Sequence, residues 1–344
     1  MKIDLLCEQQ FGSTHGVTEK TIWGDDGRIG VGGSELALLT LCSEWQKAGH
    51  EICLYNNPRE PNGSSFEQRA VNAYKPRDPR DVLIVVRSPN PRAAETKNCL
   101  KVWWSCDQYT RGSFKDFRKE VDKLVGISPM HREYFRQVYQ IDDMIVIDIP
   151  IRLDDYLNKD IERIPNRLLF SSVPARGLDN VYRMWSMILK RCPDAHLVIT
   201  SDYRLWGVGA SNQHFRTKWQ DKENYTFLGA VTRDKLIEEQ LRADVLFYPS
   251  NYEELFCLSV AESLVAGSYP ITSGTGSLPT TNMGTVIGVD SDNAQNDITF
   301  INVLTGFLND REVLERHRLE AQIKAMYRFN PKNIIDQWEK EVFA

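Results

Sequence analysis

Short apolar runs that alternate with amphipathic stretches, in two successive series, set the architecture open to this chain. Residues 82–86 read Val-Leu-Ile-Val-Val, apolar on both faces. A strand of that kind is covered on both sides, as in a parallel sheet between helices. Similar runs stand at 3–7, 51–55, 101–104 and 124–127. Between the first two, residues 34–48 bring Leu36, Leu39, Leu41, Trp45 and Ala48 near one helical face, and Gly49 follows where a helix stops. A charged stretch, 151–166, flanked by Pro150 and carrying Pro165, breaks the series. The pattern then resumes, with strands at 168–171, 196–200, 225–228, 245–248 and 269–272 and helices at 178–191, 233–241 and 259–266. The helix over 178–191 puts Val181, Met184, Trp185 and Ile188 on one face, and Pro193 ends it.

The expectation is an α/β chain of two Rossmann-like domains facing across a cleft, and 344 residues suffice for two cores of ordinary size. Residues 1–150 form the first domain, 151–166 the linker and 167–328 the second domain. Residues 313–327 and 331–342 read as amphipathic helices. The last segment, 329–344, either crosses back to the first domain or covers only the second. In such sheets, ligands gather beyond the carboxyl ends of the strands.

Composition narrows the function. Lys plus Arg number 42 against 47 Asp plus Glu, a formal net charge of −5. That balance argues against a non-specific nucleic-acid binder or a protein held on anionic lipid by charge alone. A nucleic-acid acceptor would need a local basic groove, for example around Arg77, Arg80, Arg87 and Arg92. Seven cysteines, odd in number and without C-x-x-C spacing, fit reduced thiols in a cytoplasmic protein. No apolar run approaches the length of a membrane span.

Three segments, each between a strand and a helix or just before a helix, have the residue types for chemistry. Gly30-Val31-Gly32-Gly33-Ser34-Glu35 precedes the first long helix. Its glycines permit close backbone approach and the helix start favours an anion; alternatively it is a loop with Ser34 as helix cap. Glu35 stands where a dinucleotide fingerprint has its third glycine, and no Walker lysine follows. The second segment, 252–262, places Glu254 in a loop after a strand and Glu262 one turn into the next helix, seven residues apart in E-(x7)-E spacing. Two acceptors flanking the amides of Cys257, Leu258 and Ser259 suit a ligand with hydroxyls at both ends of a diphosphate; otherwise the acids are solvated charges near a helix start. In the third segment, 170–179, Arg176 can hold phosphate oxygens or sit on the surface of a turn.

Taken in order, Gly32-Gly33-Ser34-Glu35, Ala175-Arg176-Gly177-Leu178, Phe227-Leu228-Gly229-Ala230-Val231 and Pro249-Ser250…Glu254-(x7)-Glu262…Ala266-Gly267 resemble the GT-B glycosyltransferases of family 4. Trp185, Ile188, Pro193 and Ala195 after Arg176-Gly177-Leu178 strengthen the likeness to bacterial and phage members. The resemblance is strong over 168–279, moderate over 31–55 and weak elsewhere in the first half. It implies a retaining transferase of the hexosyltransferase type, using a UDP-, GDP- or other nucleotide-diphosphate sugar without a cofactor or bound metal. It implies that Glu254 contacts the donor sugar and Glu262 the ribose. Arg176 and the backbone of Phe256, Cys257, Leu258 and Ser259 would hold the diphosphate. Gly229, Ala230 and Val231 would lie beside the base. Gly32, Gly33 and Ser34 would line the cleft near phosphate or acceptor.

Several positions depart from the family pattern. Arg176 stands for the usual Lys, and Ser171 stands about where an Arg is usual. Cys257 replaces the glycine of E-x-F-G, and Thr280 replaces the acid after Gly276-Ser277-Leu278-Pro279. Cys106 takes the place of a His usually set near the transferred sugar, leaving Asp107 as the catalytic candidate from the first domain, or as a turn residue. Arg87 would meet an anionic acceptor, or form a surface ion pair. The loop 203–219, with Arg204 and Trp206, should open on the cleft. The adjacent pairs Asp142-Asp143 and Asp154-Asp155 read as solvated charge. The rival readings are a nucleotide-sugar-binding subunit that has lost catalysis, and a sugar-nucleotide epimerase or a phosphorylase on the same fold. A nicotinamide dehydrogenase is disfavoured by the glycine spacing.

Overall fold

The computed structural model describes residues 1–8, 16–23, 30–60, 62–206 and 212–344; the side chains of 205, 206 and 212 lie outside the description. The chain divides into two compact units, Met1–Pro150 with Phe329–Ala344, and Ile151–Arg328.

The first unit is built on a sheet of seven strands: β1 (Lys2–Leu6), β2 (Glu51–Tyr55), β3 (Glu67–Arg69), β4 (Val82–Val86), β5 (Leu100–Trp104), β6 (Lys123–Gly126) and β7 (Met144–Val146). Their order is β3-β2-β1-β4-β5-β6-β7, with every neighbour parallel. β4 is buried at all five residues, as its sequence requires. One helical layer is aromatic. Trp103 meets Phe114 and Phe117 edge-on, at 4.9 and 5.2 Å, and Phe135 at 5.7 Å. Such rings bury large apolar areas and favour this T-shaped geometry. The helix Gly33–Lys47 covers the sheet with Leu36, Leu39, Leu41 and Trp45 buried. It begins one residue before the expected start, and Gly32, not Ser34, occupies its N-cap without a side-chain hydrogen bond. The C-terminal helix Pro331–Trp338 packs in this unit, where Trp338 meets Trp45 edge-on at 5.1 Å.

The second unit has six strands: β8 (Arg167–Phe170), β9 (His196–Ile199), β10 (Tyr225–Phe227), β11 (Val245–Tyr248), β12 (Tyr269–Ser273) and β13 (Thr285–Ile287). The order is β10-β9-β8-β11-β12-β13, again all parallel. The helix Leu178–Arg191 buries Val181, Met184, Trp185 and Ile188, the face its spacing predicts. Residues 151–166, expected as a linker, are counted in this unit. They are tied in by burial of Ile151 and Tyr156 and by hydrogen bonds: the Tyr156 hydroxyl donates to Gln240 at 2.8 Å, and Ile164 N–H donates to Arg242 O at 2.9 Å.

Candidate functional site

β8 and β11 are neighbours in the middle of the second sheet, but the chain leaves β8 toward β9 and leaves β11 toward β12 on the opposite side. The two following loops therefore diverge and open a crevice at the strand ends, the place where open α/β sheets take ligands. Arg176 stands on the loop after β8 and Glu254 on the loop after β11. Arg176 Nη1 donates to both Glu254 oxygens, at 3.0 and 3.2 Å. Tyr248, the last residue of β11, donates its hydroxyl to Glu254 Oε1 at 2.8 Å. The Arg176 guanidinium lies 4.0 Å from the Tyr252 ring centroid, which fixes its plane by a cation–π contact. Burial disfavours the Arg176 cation, but Glu254 and the neighbouring Tyr248, Tyr252 and Cys257 outweigh it and raise its pKa.

Backbone geometry brings these loops together. Gly177 has φ +110°, and a Cβ there would stand 2.6 Å from Pro249 O, so the loops after β8 and β11 touch only because this residue has no side chain. Ser259 Oγ donates to Ser171 O at 2.6 Å and ties the start of the helix Leu258–Val265 to the end of β8. That helix is capped by Cys257 at φ +65°, ψ +76°. The glycine of the family pattern is explained by that left-handed backbone, which costs a residue with a Cβ about 1 kcal/mol. The helix start turns its first N–H groups toward the crevice.

Glu262 lies deeper. Arg233 Nη2 approaches Glu262 Oε1 at 2.7 Å, and Gln240 Nε2 donates to Oε2 at 3.2 Å. Arg233 also donates to the Tyr156 hydroxyl at 2.9 Å. Sequence reasoning missed Arg233 and Gln240 because their partner Glu262 is more than twenty residues away, and missed Tyr248 although Glu254 is six residues on. Only the place of Tyr248 at a strand end could have signalled it. Gly229, Ala230 and Val231 follow β10, at the same edge of the sheet as Arg176.

In the first unit the strand order reverses in the same way between β1 and β4. Arg87 follows β4 with φ +64°, and each of its three guanidinium nitrogens meets a carboxylate. Nε and Nη2 donate to Asp107 at 2.6 and 2.9 Å, and Nη1 donates to Glu35 Oε1 at 2.8 Å. Of the two readings of Arg87, an anionic-acceptor contact or an ion pair, the ion pair is the one these contacts show. Glu35, in the first turn of the helix Gly33–Lys47, also opposes an anion at Gly32, Gly33 and Ser34. The suggested basic groove is not formed by these residues. Arg80 is buried against Asp4 at 2.7 Å, and Arg92 faces Glu8 at 3.6 Å. Cys106 is buried, and burial pushes its thiol pKa well up, so it supplies no thiolate.

A D-x-D triplet of the kind that can hold a metal, not expected from the sequence, is present as Asp290-Ser291-Asp292. Here Asn180 and Asn251 donate to the two Asp292 oxygens, at 3.1 and 2.6 Å, and Asp290 accepts from Asp292 N–H. Among the described residues no group of three or more His, Cys, Asp or Glu is placed to hold a metal ion. No helix among them is long and apolar enough to cross a membrane.

Two parallel-sheet units, each with a strand reversal, have the GT-B fold, and the comparisons agree. Residues 167–326 match the family model of glycosyl transferases group 1, so the second unit carries a domain of that group. The fold is similar to sucrose-phosphate synthase from Thermosynechococcus elongatus (TM-score 0.70, 14% identity, 99% of each chain covered). It is equally similar to a glycosyltransferase from Rickettsia africae (TM-score 0.71, 13% identity, 99% of this chain and 97% of that one). Anabaena HepE, solved with UDP and glucose, gives a TM-score of 0.68 at 13% identity, over 99% of this chain and 98% of that one. A search of curated proteins by sequence returns no match.

Proposed function

We propose that the chain is a retaining, metal-independent glycosyltransferase that moves a sugar from a nucleotide-diphosphate sugar to a hydroxyl acceptor. The observation that carries this is the Arg176–Glu254 pair at the β8/β11 strand reversal, next to the start of the helix Leu258–Val265. The second unit is the donor side and the first the acceptor side. Arg176 and the amides of Phe256–Ser259 hold the diphosphate. Glu254, oriented by Tyr248 and Arg176, accepts hydrogen bonds from the donor sugar's hydroxyls. Glu262 is the ribose acceptor, its carboxylate oriented by Arg233 and Gln240. The UDP-glucose complex of Anabaena HepE supports a nucleotide sugar as donor.

In the reaction the bond from the anomeric carbon to the diphosphate oxygen breaks as the acceptor oxygen bonds the same face. The acceptor's proton passes to the departing phosphate. Negative charge grows on the diphosphate, where Arg176 and the helix start stabilise it without a divalent ion. One preorganised donor of this kind is worth about 3 kcal/mol in the transition state. Asp107 remains the catalytic candidate from the first unit, its carboxylate held by Arg87.

The test is thermal stabilisation by UDP-, GDP-, ADP- and TDP-sugars in EDTA, on wild type and Arg176→Ala. A shift with one donor, lost in the variant, supports the reading. A shift that needs added Mg²⁺ or survives in Arg176→Ala rejects it.

A further inference from the structure

The helix Arg311–Arg328 of the second unit turns an apolar stripe to solvent. Its inner side is ordinary: Leu314, Ala321 and Ala325 are buried, and the helix packs against the helix Leu258–Val265. Gln322 Nε2 donates to Val265 O at 2.9 Å and Arg318 Nη1 to Gly267 O at 3.3 Å, which fixes the helix in one orientation. On the opposite side stand Leu319, Ile323 and Tyr327, exposed by 47, 68 and 77%. Their spacing of four residues puts them on one face, one above another. Single exposed apolar side chains are normal on any protein, but a contiguous row of them marks an interaction surface. No other described helix carries more than one exposed large apolar side chain.

The charges beside the stripe indicate its partner. Glu312, Arg316, Glu320 and Lys324 are exposed and follow one another at the same four-residue spacing, acid and base in alternation. Their charges cancel, so the face has no net attraction for an anionic lipid surface. It is complementary to itself. In an antiparallel pair of these helices, related by a twofold axis at Ile323, each flank of the stripe meets its own copy. Ile323 then packs on the partner's Ile323. Leu319, four residues before the axis, meets the partner's Tyr327, four residues after it. Glu320 and Lys324 lie on the same flank, so each finds its opposite charge on the other chain. They stand about 3 Å of helix rise from direct opposition, which a lysine side chain spans. A parallel pair would set them against the other flank, where Gln322 and Met326 carry no charge. Self-complementarity of this kind is what a twofold contact requires.

We propose that the chain forms a twofold dimer through this helix face, with Leu319, Ile323 and Tyr327 at the centre and two Glu320–Lys324 ion pairs at the edge. One helix face buries less than the roughly 1,200 Å² at which stable interfaces begin, so the dimer is weak and reversible. It is independent of the donor-site reading above.

The experiment is sedimentation velocity of the full chain, from a few micromolar to a few hundred micromolar. The proteins are wild type, Ile323→Glu, Lys324→Glu, and the exchange variant that combines Glu320→Lys with Lys324→Glu. All these positions are exposed, and melting temperatures confirm that each variant is folded. Wild type should move from monomer toward dimer as concentration rises. Ile323→Glu should stay monomeric throughout. Lys324→Glu should weaken the dimer about tenfold, and the exchange should restore it to within a few-fold of wild type. A merely structural role for these residues would give no recovery on exchange. A wild type that is monomeric at every concentration, an Ile323→Glu variant that dimerises like wild type, or an exchange variant no tighter than Lys324→Glu would overturn the proposal. Binding of a monomeric wild type to phosphatidylcholine–phosphatidylglycerol vesicles, lost in Ile323→Glu, would overturn it in favour of a lipid surface.

Discussion

Both units place an arginine at the point where their strand order reverses, and the two arginines are treated differently. Arg176 in the second unit shares one nitrogen with a single carboxylate and lies over an aromatic ring, beside a helix start. Arg87 in the first unit donates three hydrogen bonds to two carboxylates. The first arrangement sets one carboxylate and a helix start beside the arginine, whereas the second surrounds it with two carboxylates. A shared topology thus supplies two crevices that differ in local charge, and the proposed diphosphate site is the one with fewer carboxylates at its arginine. Family resemblance alone does not reveal this, because Glu35 and Asp107 lie far from Arg87 in sequence.

The comparison breaks first on activity. Arg176→Ala should lower kcat/KM by about a hundred- to a thousandfold, with a smaller loss of stability than Arg87→Ala because it strands one carboxylate rather than two. Steady-state transfer or donor hydrolysis measures it, and a loss below tenfold would remove Arg176 from the donor site. Arg87→Ala should show the inverse pattern. It strands two carboxylates in a mostly buried setting and should cost on the order of 3 kcal/mol of stability. Donor affinity should stay within a few-fold of wild type; denaturant unfolding and titration with the nucleotide sugar report the two halves.

A third prediction concerns pH. Burial holds the imidazole of His131, behind the Ser105–Asp107 loop, down to about 3, against an ordinary value of 6.5. Its Nε2 lies 3.5 Å from Ser105 Oγ, and its Nδ1 accepts from Ile127 N–H at 3.4 Å. The unfolded chain takes up this proton below about pH 6.5 and the folded chain does not until near pH 3. Folding stability from this group is therefore complete above pH 6.5 and lost as pH falls through that window, by up to about 1.4 kcal/mol per unit. His131→Asn should flatten the slope between pH 6.5 and 4; parallel slopes would show that the buried imidazole is not its source.

The smallest effect expected is at Cys257, whose left-handed backbone favours glycine. Cys257→Gly should stay within about 1 kcal/mol of wild type, since relief of strain offsets chain entropy and lost burial. Cys257→Val should be clearly worse, because a branched Cβ tolerates φ +65° poorly. Equal melting temperatures for the two variants would mean that the helix start relaxes.

Much of the fold was legible because its strands are apolar on both faces. Val82–Val86, Glu51–Tyr55 and Val245–Tyr248 were read to the residue. The strands missed were β3, β7 and β13, each of three residues at or next to a sheet edge, where burial on two faces is not required; β3 reads only Glu-Gln-Arg. The Arg176 and Glu254 segments could be found because each lies between a strand and a helix. Their direct contact could not, since Gly177 had to be seen admitting Pro249 O. The Arg233–Glu262 and Arg87–Asp107–Glu35 groups join residues that share no local pattern, and only the folded backbone assembles them.

The most direct test of the contrast between the two arginines is the donor dissociation constant measured side by side for wild type, Arg176→Ala and Arg87→Ala in EDTA, each confirmed folded. A loss of about tenfold or more in Arg176→Ala alone is the predicted result. An equal or larger loss in Arg87→Ala would contradict it and move the diphosphate to the first unit.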